Sequence, residues 1–184
     1  MQFLETPITG AWLVQPEPRA DARGFFARLW DVSVFTGRGL RADFVQCNTS
    51  GSVRRGTLRG LHYQAAPHAE VKLVRCIRGR VFDVIADVRA GSPSHGRWFG
   101  AELSRDNQTM VYVPEGCAHG YLSLEDDCEV MYPVTAAYEP SAERGLRWND
   151  PAFAIEWPLA PSIVSDKDRA WADFASAARS GERR

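Results

Sequence analysis

The sequence lacks an excess of either charge: 22 basic residues stand against 23 acidic ones across 184 positions, a formal net charge of −1. The basic residues are scattered rather than clustered, which argues against a broad footprint for nucleic acid or anionic lipid and leaves room for local phosphate binding. Missing too are any run of apolar residues long enough to span a bilayer and any opening segment that is basic and then apolar. A cytoplasmic protein is expected. Cysteine is sparse, and Cys47, Cys76, Cys117 and Cys128 form no Cys-x-x-Cys pair, which speaks against a zinc ribbon or a thioredoxin-type redox site. Four reduced, mostly buried thiols are expected. There is no internal repeat and no low-complexity segment, and from Phe44 to about Pro158 no apolar stripe of helical period.

What is present is a chain with 45% hydrophobic residues, enough for one domain over 1–184 with a well-buried core. Short β-rich runs alternate with turn signals, which predicts an all-β barrel or sandwich. Lys72–Ile77, then Arg78-Gly79, then Arg80–Arg89 reads as two period-two strands around a glycine turn, a hairpin. In its second arm Val81, Asp83, Ile85 and Asp87 share one face, so that face carries two carboxylates. Gly91–Gly96 and Leu103–Asn107 read as loops, and Pro114–Gly116 as a turn between strands Met110–Val113 and His119–Leu124. The middle of the chain is expected to be a series of hairpins. Helical tendency is confined to Asp31–Arg38 and to the stretch after Asp166, where Ser165 or Asp166 could cap a helix through Ala170–Ala178, and the tail from Arg179 is expected to fray.

Four groups could carry chemistry. Arg59 and His62 lie on a glycine-bounded strand; three apart, they point to opposite faces unless Gly60 introduces a bulge. Pro114-Glu-Gly-Cys-Ala-His119 resembles the second conserved motif of cupin barrels, and a cupin jelly roll suits the strand count. Metal-binding cupins add a His-x-His pair and a glutamate from an earlier hairpin; here only His62 and His68-Ala-Glu70 are nearby, an incomplete ligand set, so no metal is expected. Tyr132 and Tyr138, six apart, could face one interior if the strand continues, although Pro133 restricts that strand to an edge or a bulge. Ser165-Asp-Lys-Asp168 taken alone reads as a solvated helix start.

Taken in order, these segments resemble the dTDP-4-dehydrorhamnose 3,5-epimerase family from about Asp21 to Asp168. The similarity rests on Asp21–Phe26, Gln46–Ser50, Leu58–Gln64, Lys72–Val74, Gly91–Pro93, Pro114–Gly116 with His119, Tyr132, Tyr138, Glu143, Arg147–Pro151, Ile155–Pro158 and Ser165–Asp168. The resemblance implies a cupin-type jelly-roll barrel with short helical segments, a homodimer with strand exchange, no cofactor, and a nucleotide-sugar substrate. It implies a place in dTDP-rhamnose and cell-surface polysaccharide synthesis. The implied reaction moves protons at C3 and C5 of a nucleoside-diphosphate 4-keto-6-deoxyhexose.

Within that resemblance His62 matches the base, Asp168 its carboxylate partner, Lys72 the cation that stabilises the enolate, and Tyr132 the acid on the opposite face. Arg23, Gln46, Asn48, Arg59, His119, Tyr138, Glu143 and Lys167 match the substrate-binding set, with Arg23 reaching the neighbouring subunit. Five positions depart from the pattern: Arg28 replaces a glutamate, Cys47 an acidic residue, Pro133 a lysine, and Cys117 and Tyr121 two phenylalanines of the cavity wall. Inversion at C3 alone, epimerisation of a different nucleotide-sugar such as a heptose, a sugar-nucleotide binder without turnover, and a metal-dependent cupin oxygenase are the competing readings.

Overall fold

The computed structural model describes residues 1–174. In chain order its elements are β1 (Gln2–Glu5), β2 (Trp12–Gln15), β3 (Arg19–Asp21), β4 (Gly24–Phe26), α1 (Val32–Thr36), β5 (Gln46–Ser52) and β6 (Thr57–Gln64). There follow β7 (Lys72–Arg78), β8 (Arg80–Asp87), β9 (Trp98–Ser104), β10 (Met110–Val113), β11 (Cys117–Ser123) and β12 (Cys128–Val134). The last are β13 (Glu143–Gly145), β14 (Ile163–Val164) and α2 (Asp166–Arg169). No described helix is long and apolar enough to cross a membrane.

Two sheets hold most of the strands. One runs β1-β2-β10-β7-β12-β5, the other β13-β6-β11-β8-β9, and β14 adds in parallel to β6. From β5 to β8 and again from β9 to β13, successive strands fall in alternate sheets, the connectivity of the expected cupin jelly roll. The expected series of hairpins is therefore corrected. β7 and β8 do follow one another around Gly79, but β7 pairs with β10 and β12 while β8 pairs with β9 and β11. Gly79, at φ +69°, turns the chain from one sheet to the other.

The reason lies in burial. Val74 and Cys76 of β7 and Val81 and Ile85 of β8 all enter one core between the sheets, joined by Val111, Val113, Leu103, Cys117, Tyr121 and Val130. A paired hairpin would put the two strands in one layer; facing layers let both bury an inner face together. The outer face of the first sheet is covered by Phe35 of α1 with Leu40 and Phe44. That of the second is covered by Leu146, Trp148, Phe153 and Trp157 of the segment after β13. Each large apolar side chain so buried stabilises the fold by about 1.5–3 kcal/mol.

Local signals held at several boundaries. Asp31 caps α1, its side chain accepting from the Ser33 N–H at 3.1 Å, and β10 begins and ends at the expected residues. Pro133 sits in β12, an inner strand, where an edge or a bulge was expected. It is tolerated because pairing to β7 lapses at Tyr132 and Pro133 and resumes at Val134, while pairing to β5 runs through; a proline has no N–H to donate. The expected C-terminal helix starts where its cap was expected, at Ser165, but does not run on through Ala170: α2 is one turn that closes there. Residues 175–178 of that expectation and the tail from Arg179 lie outside the described residues. Of the four free cysteines, Cys47 is exposed and the other three are buried.

Candidate active site

Two adjoining cavities open at one end of the barrel. An inner one of about 140 Å³ is lined by Arg59, His62, Lys72, His119, Tyr121 and Tyr132 among others. An outer one of about 120 Å³ has Gln46, Asn48, Glu70, Tyr138 and Glu143 on its walls and shares His62, Lys72 and Tyr132 with the first.

β6 supplies Arg59 and His62 to the same side because of the bulge that sequence spacing required. Tyr121 pairs with Arg59 and His119 with His62, so three steps along β6 match two along β11. Gly60 takes up the extra residue at φ +129°.

His62 Nε2 lies 2.5 Å from Asp168 Oδ1. Asp168 is 4% exposed and accepts the Gly60 N–H through Oδ2 at 3.3 Å. Burial pushes this carboxyl up, but the hydrogen bond and charge of His62, with the Gly60 N–H, outweigh it and hold it below its ordinary value. Asp168 arrives from far along the chain because β14 lies parallel to β6, pairing Ile163 with Thr57 and Val164 with Leu58. Ser165 then caps α2, accepting the Asp168 N–H at 3.1 Å. The start of α2 is thus not the solvated segment its composition suggests, since one of its carboxylates points inward.

A second imidazole–carboxylate pair lies deeper: His119 Nε2 stands 2.8 Å from Asp83 Oδ2, both side chains almost fully buried. Asp83 is one of the two carboxylates expected on one face of β8. The other, Asp87, instead clamps Arg89, Ser92 and Ser94 outside the site.

Opposite β6, on the other sheet, β7 supplies Lys72 and β12 supplies Tyr132. Lys72 Nζ donates to the His62 carbonyl oxygen at 3.2 Å. The Tyr132 phenol is raised above the ordinary tyrosine range, first by burial and then by Tyr121 and the Glu70 carboxylate, with Arg59 opposing. It therefore keeps its proton at neutral pH.

At the rim, Gln46 Nε2 donates to Asn48 Oδ1 at 3.0 Å, and the Tyr138 N–H donates to Gln46 Oε1 at 3.2 Å. The Tyr138 hydroxyl donates to Glu143 Oε2 at 2.9 Å, and Lys167 reaches Glu143 Oε1 at 2.5 Å. Tyr138 shares the cavity with Tyr132 although β12 ends at Val134, so a returning loop and not a continued strand places it. Arg59 is held by the Gly51 carbonyl at 2.7 Å and Ser52 Oγ at 3.3 Å.

One expected site residue stands apart. Arg23, with its side chain 90% exposed, lies on the β3–β4 hairpin and pairs with Asp21. Of the expected cavity-wall departures, Tyr121 does line the inner cavity, donating to Ser50 Oγ at 3.0 Å. Cys117 does not: it is packed in the core between the sheets, where burial pushes its thiol up to about 12.

The site also holds residues that the sequence did not point to as part of it. Glu70 lies 3.2 Å from Lys72 Nζ. Trp171 packs edge-on against His62 at 6.3 Å between ring centroids, over Gly145, where its indole leaves no room for a Cβ. Asp83 and Trp171 acquire meaning from partners distant in sequence, His119 and His62, whereas Glu70 engages the nearby Lys72 and Gln64.

Around the cavities between the sheets, His62 of β6, backed by Asp168 of α2, faces the buried Lys72 and the half-buried Tyr132 of the other sheet. The family model for dTDP-4-dehydrorhamnose 3,5-epimerase matches residues 5–176. The chain belongs to this family. It is 44% identical over 173 residues to the dTDP-4-dehydrorhamnose 3,5-epimerase of Methanothermobacter thermautotrophicus, covering 92% of each chain. The crystal structure of the Bacillus anthracis dTDP-4-dehydrorhamnose 3,5-epimerase, with TDP and PPi bound, superposes with a TM-score of 0.90 at 41% identity, over 94% of this chain and 98% of that one. A 3'-monoepimerase from Streptomyces bikiniensis, in complex with dTDP-quinovose, superposes at 0.88 with 35% identity, over 95% and 88%.

Proposed function

We propose that this protein is a cytoplasmic, single-domain, cofactor-free isomerase that inverts C3 and C5 of a nucleoside-diphosphate 4-keto-6-deoxy sugar, converting dTDP-4-dehydro-6-deoxyglucose to dTDP-4-dehydrorhamnose. The observation that carries it is the division of groups between walls: His62 of one sheet, backed by Asp168 of α2, and Tyr132 and Lys72 of the other sheet, around a shared cavity.

A proton on carbon beside a ketone leaves when a base is placed at it and the developing oxyanion is stabilised away from water. Because Asp168 engages His62 Nε2, the proton rests on that nitrogen and the Nδ1 lone pair is the base. His62 Nδ1 takes the proton from carbon, the electron pair moves to the C4 oxygen, and Lys72 donates to that oxygen. Collapse of the enolate takes the Tyr132 hydroxyl proton onto the other face of the same carbon, and the centre is inverted. The imidazolium and phenolate then return to their starting states by proton exchange with water.

Arg59 and His119 suit the diphosphate and sugar, since a guanidinium fork donates two parallel hydrogen bonds to phosphate oxygens. Gln46, Asn48, Tyr138, Glu143 and Lys167 form the rim that takes the nucleoside. A homodimer completes the site: β3 and β4 are exposed at every residue, Phe25 and Phe26 at 59% and 66%, and hairpin exchange would carry Arg23 to the neighbouring subunit.

The 3'-monoepimerase supports one alternative, inversion at C3 alone on the same scaffold. Solvent deuterium incorporation, followed by NMR at C3 and C5 across several nucleotide sugars, decides between them. Incorporation at both carbons is expected; incorporation at C3 only selects the alternative, and none at either carbon sinks the isomerase reading.

A further inference from the structure

Lys72 enters the cavity wall with a partner that the proton chemistry above does not use. Its Nζ stands 3.2 Å from Glu70 Oε1 and 3.2 Å from the His62 carbonyl oxygen, and the Lys72 and Glu70 side chains are 9% and 11% exposed. The other oxygen of Glu70 accepts from Gln64 Nε2 at 3.0 Å. Gln64 is itself fixed: its Nε2 also lies within reach of the His68 and Ala137 carbonyls, and its Oε1 accepts the Glu139 N–H at 2.6 Å. The Glu70 carboxylate is therefore anchored to backbone through an amide and not left to solvent.

An ammonium has three N–H donors. Two are directed to Glu70 and the His62 carbonyl, which leaves one for a substrate oxygen. One anchor, the His62 carbonyl, belongs to the strand that carries the base, and the other, Glu70, is tied to that strand through Gln64, so the free donor is set relative to the base.

We propose that Glu70 is a positioning residue for the reaction, acting through Lys72 to aim its one free N–H at the oxyanion and to balance its charge until that oxyanion forms. The proposal rests on the assignment of Lys72 to the enolate oxygen. A glutamine at position 70 cannot replace the carboxylate: Lys72 and Gln64 both donate to it, and an amide has an acceptor oxygen for one and a donor nitrogen against the other. Aspartate keeps both acceptors on a shorter stem.

The test uses the full chain and compares wild type with Glu70→Gln, Glu70→Asp, Lys72→Ala and the double variant Glu70→Gln/Lys72→Ala. Proton exchange and inversion are both measured, and circular dichroism checks folding. In Glu70→Gln, kcat should fall about ten- to hundredfold with KM changed by less than about threefold, since the interaction is realised in the transition state. Glu70→Asp should recover part of the loss. In the Lys72→Ala background the Glu70 substitution should cost nothing further, because the two act as a unit.

An unchanged kcat in Glu70→Gln, or losses that multiply in the double variant, overturns the proposal. A rise in KM with kcat intact overturns it too and makes Glu70 a binding residue. If Glu70→Gln does not fold, Glu70→Asp carries the same comparison. Wild-type exchange in Lys72→Ala would instead sink the role of Lys72, a result that the single Glu70 variants cannot produce.

Discussion

Gly60 and Gly120 lie backbone against backbone between β6 and β11, so close that a Cβ on Gly60 would stand 2.5 Å from the Gly120 Cα. This contact lets the bulge close and turns Arg59 and His62 into the same cavity. Gly60→Ala should cost about 2 kcal/mol or more, from the contact and from the positive φ together. Exchange should fall further than stability explains, because His62 is displaced. A thermal melt and an exchange rate both at wild-type values would show that the bulge does not need glycine.

The two-wall assignment separates two variants. His62→Ala should lose exchange at both carbons by about 10³-fold or more while keeping its fold. Tyr132→Phe removes one hydroxyl and little volume, so His62 can still form the enolate and return the proton to the side it left. Inversion should then drop about 10²-fold or more while deuterium wash-in persists. Equal losses of wash-in and product in the same sample would move the donor role to Tyr138 or to water.

Asp87 gives the acid limb of stability a specific origin. It is fully buried and accepts from Arg89, Ser92 and Ser94, and although burial pushes its carboxyl up, these bonds pull it far below the ordinary value. A carboxylate whose value is lowered on folding stabilises the fold fully above its unfolded value, about 3.9, and loses that contribution as pH falls toward the folded one. Asp87→Asn should therefore destabilise by about 2–4 kcal/mol at pH 7. The gap to wild type should narrow in urea titrations below about pH 4. A gap independent of pH would place the loss in packing.

Thiol chemistry should single out Cys47. It alone is exposed, while burial first of all raises Cys76 to about 11 and Cys117 to about 12, and Cys128 is buried against the Arg80 and Glu125 carbonyls. One equivalent should react with a thiol reagent in the native protein and four after unfolding. More than one fast equivalent would mean that the core between the sheets opens.

How far the fold could be read from sequence differed by element. Strand positions were legible from period-two alternation, and α1 and the Pro114–Gly116 turn from local turn and cap chemistry. Sheet membership was not: alternation says which side chains share a face, not which strand lies alongside. Thus Lys72–Arg89 read as a hairpin although Gly79 carries the chain between sheets. The four residues proposed to handle protons were named through the family resemblance, and the bulge was legible through the spacing of Arg59 and His62. Glu70 was not, because next to His68 it suggested a metal ligand, whereas the structure turns it to Lys72. Pro133 misled for a similar reason, since one lapse in pairing on one side suffices to keep it in an inner strand.

His62 and Asp168 are 106 residues apart, and the parallel addition of β14 to β6 brings them together. Closing so long a loop carries an entropic cost that local contacts do not offset, so non-local pairings of this kind form slowly. A nascent chain could assemble both sheets from residues up to Gly145 and still lack the carboxylate behind His62. In refolding, recovery of turnover should trail recovery of β-structure, which makes activity a clock for docking of the C-terminal segment.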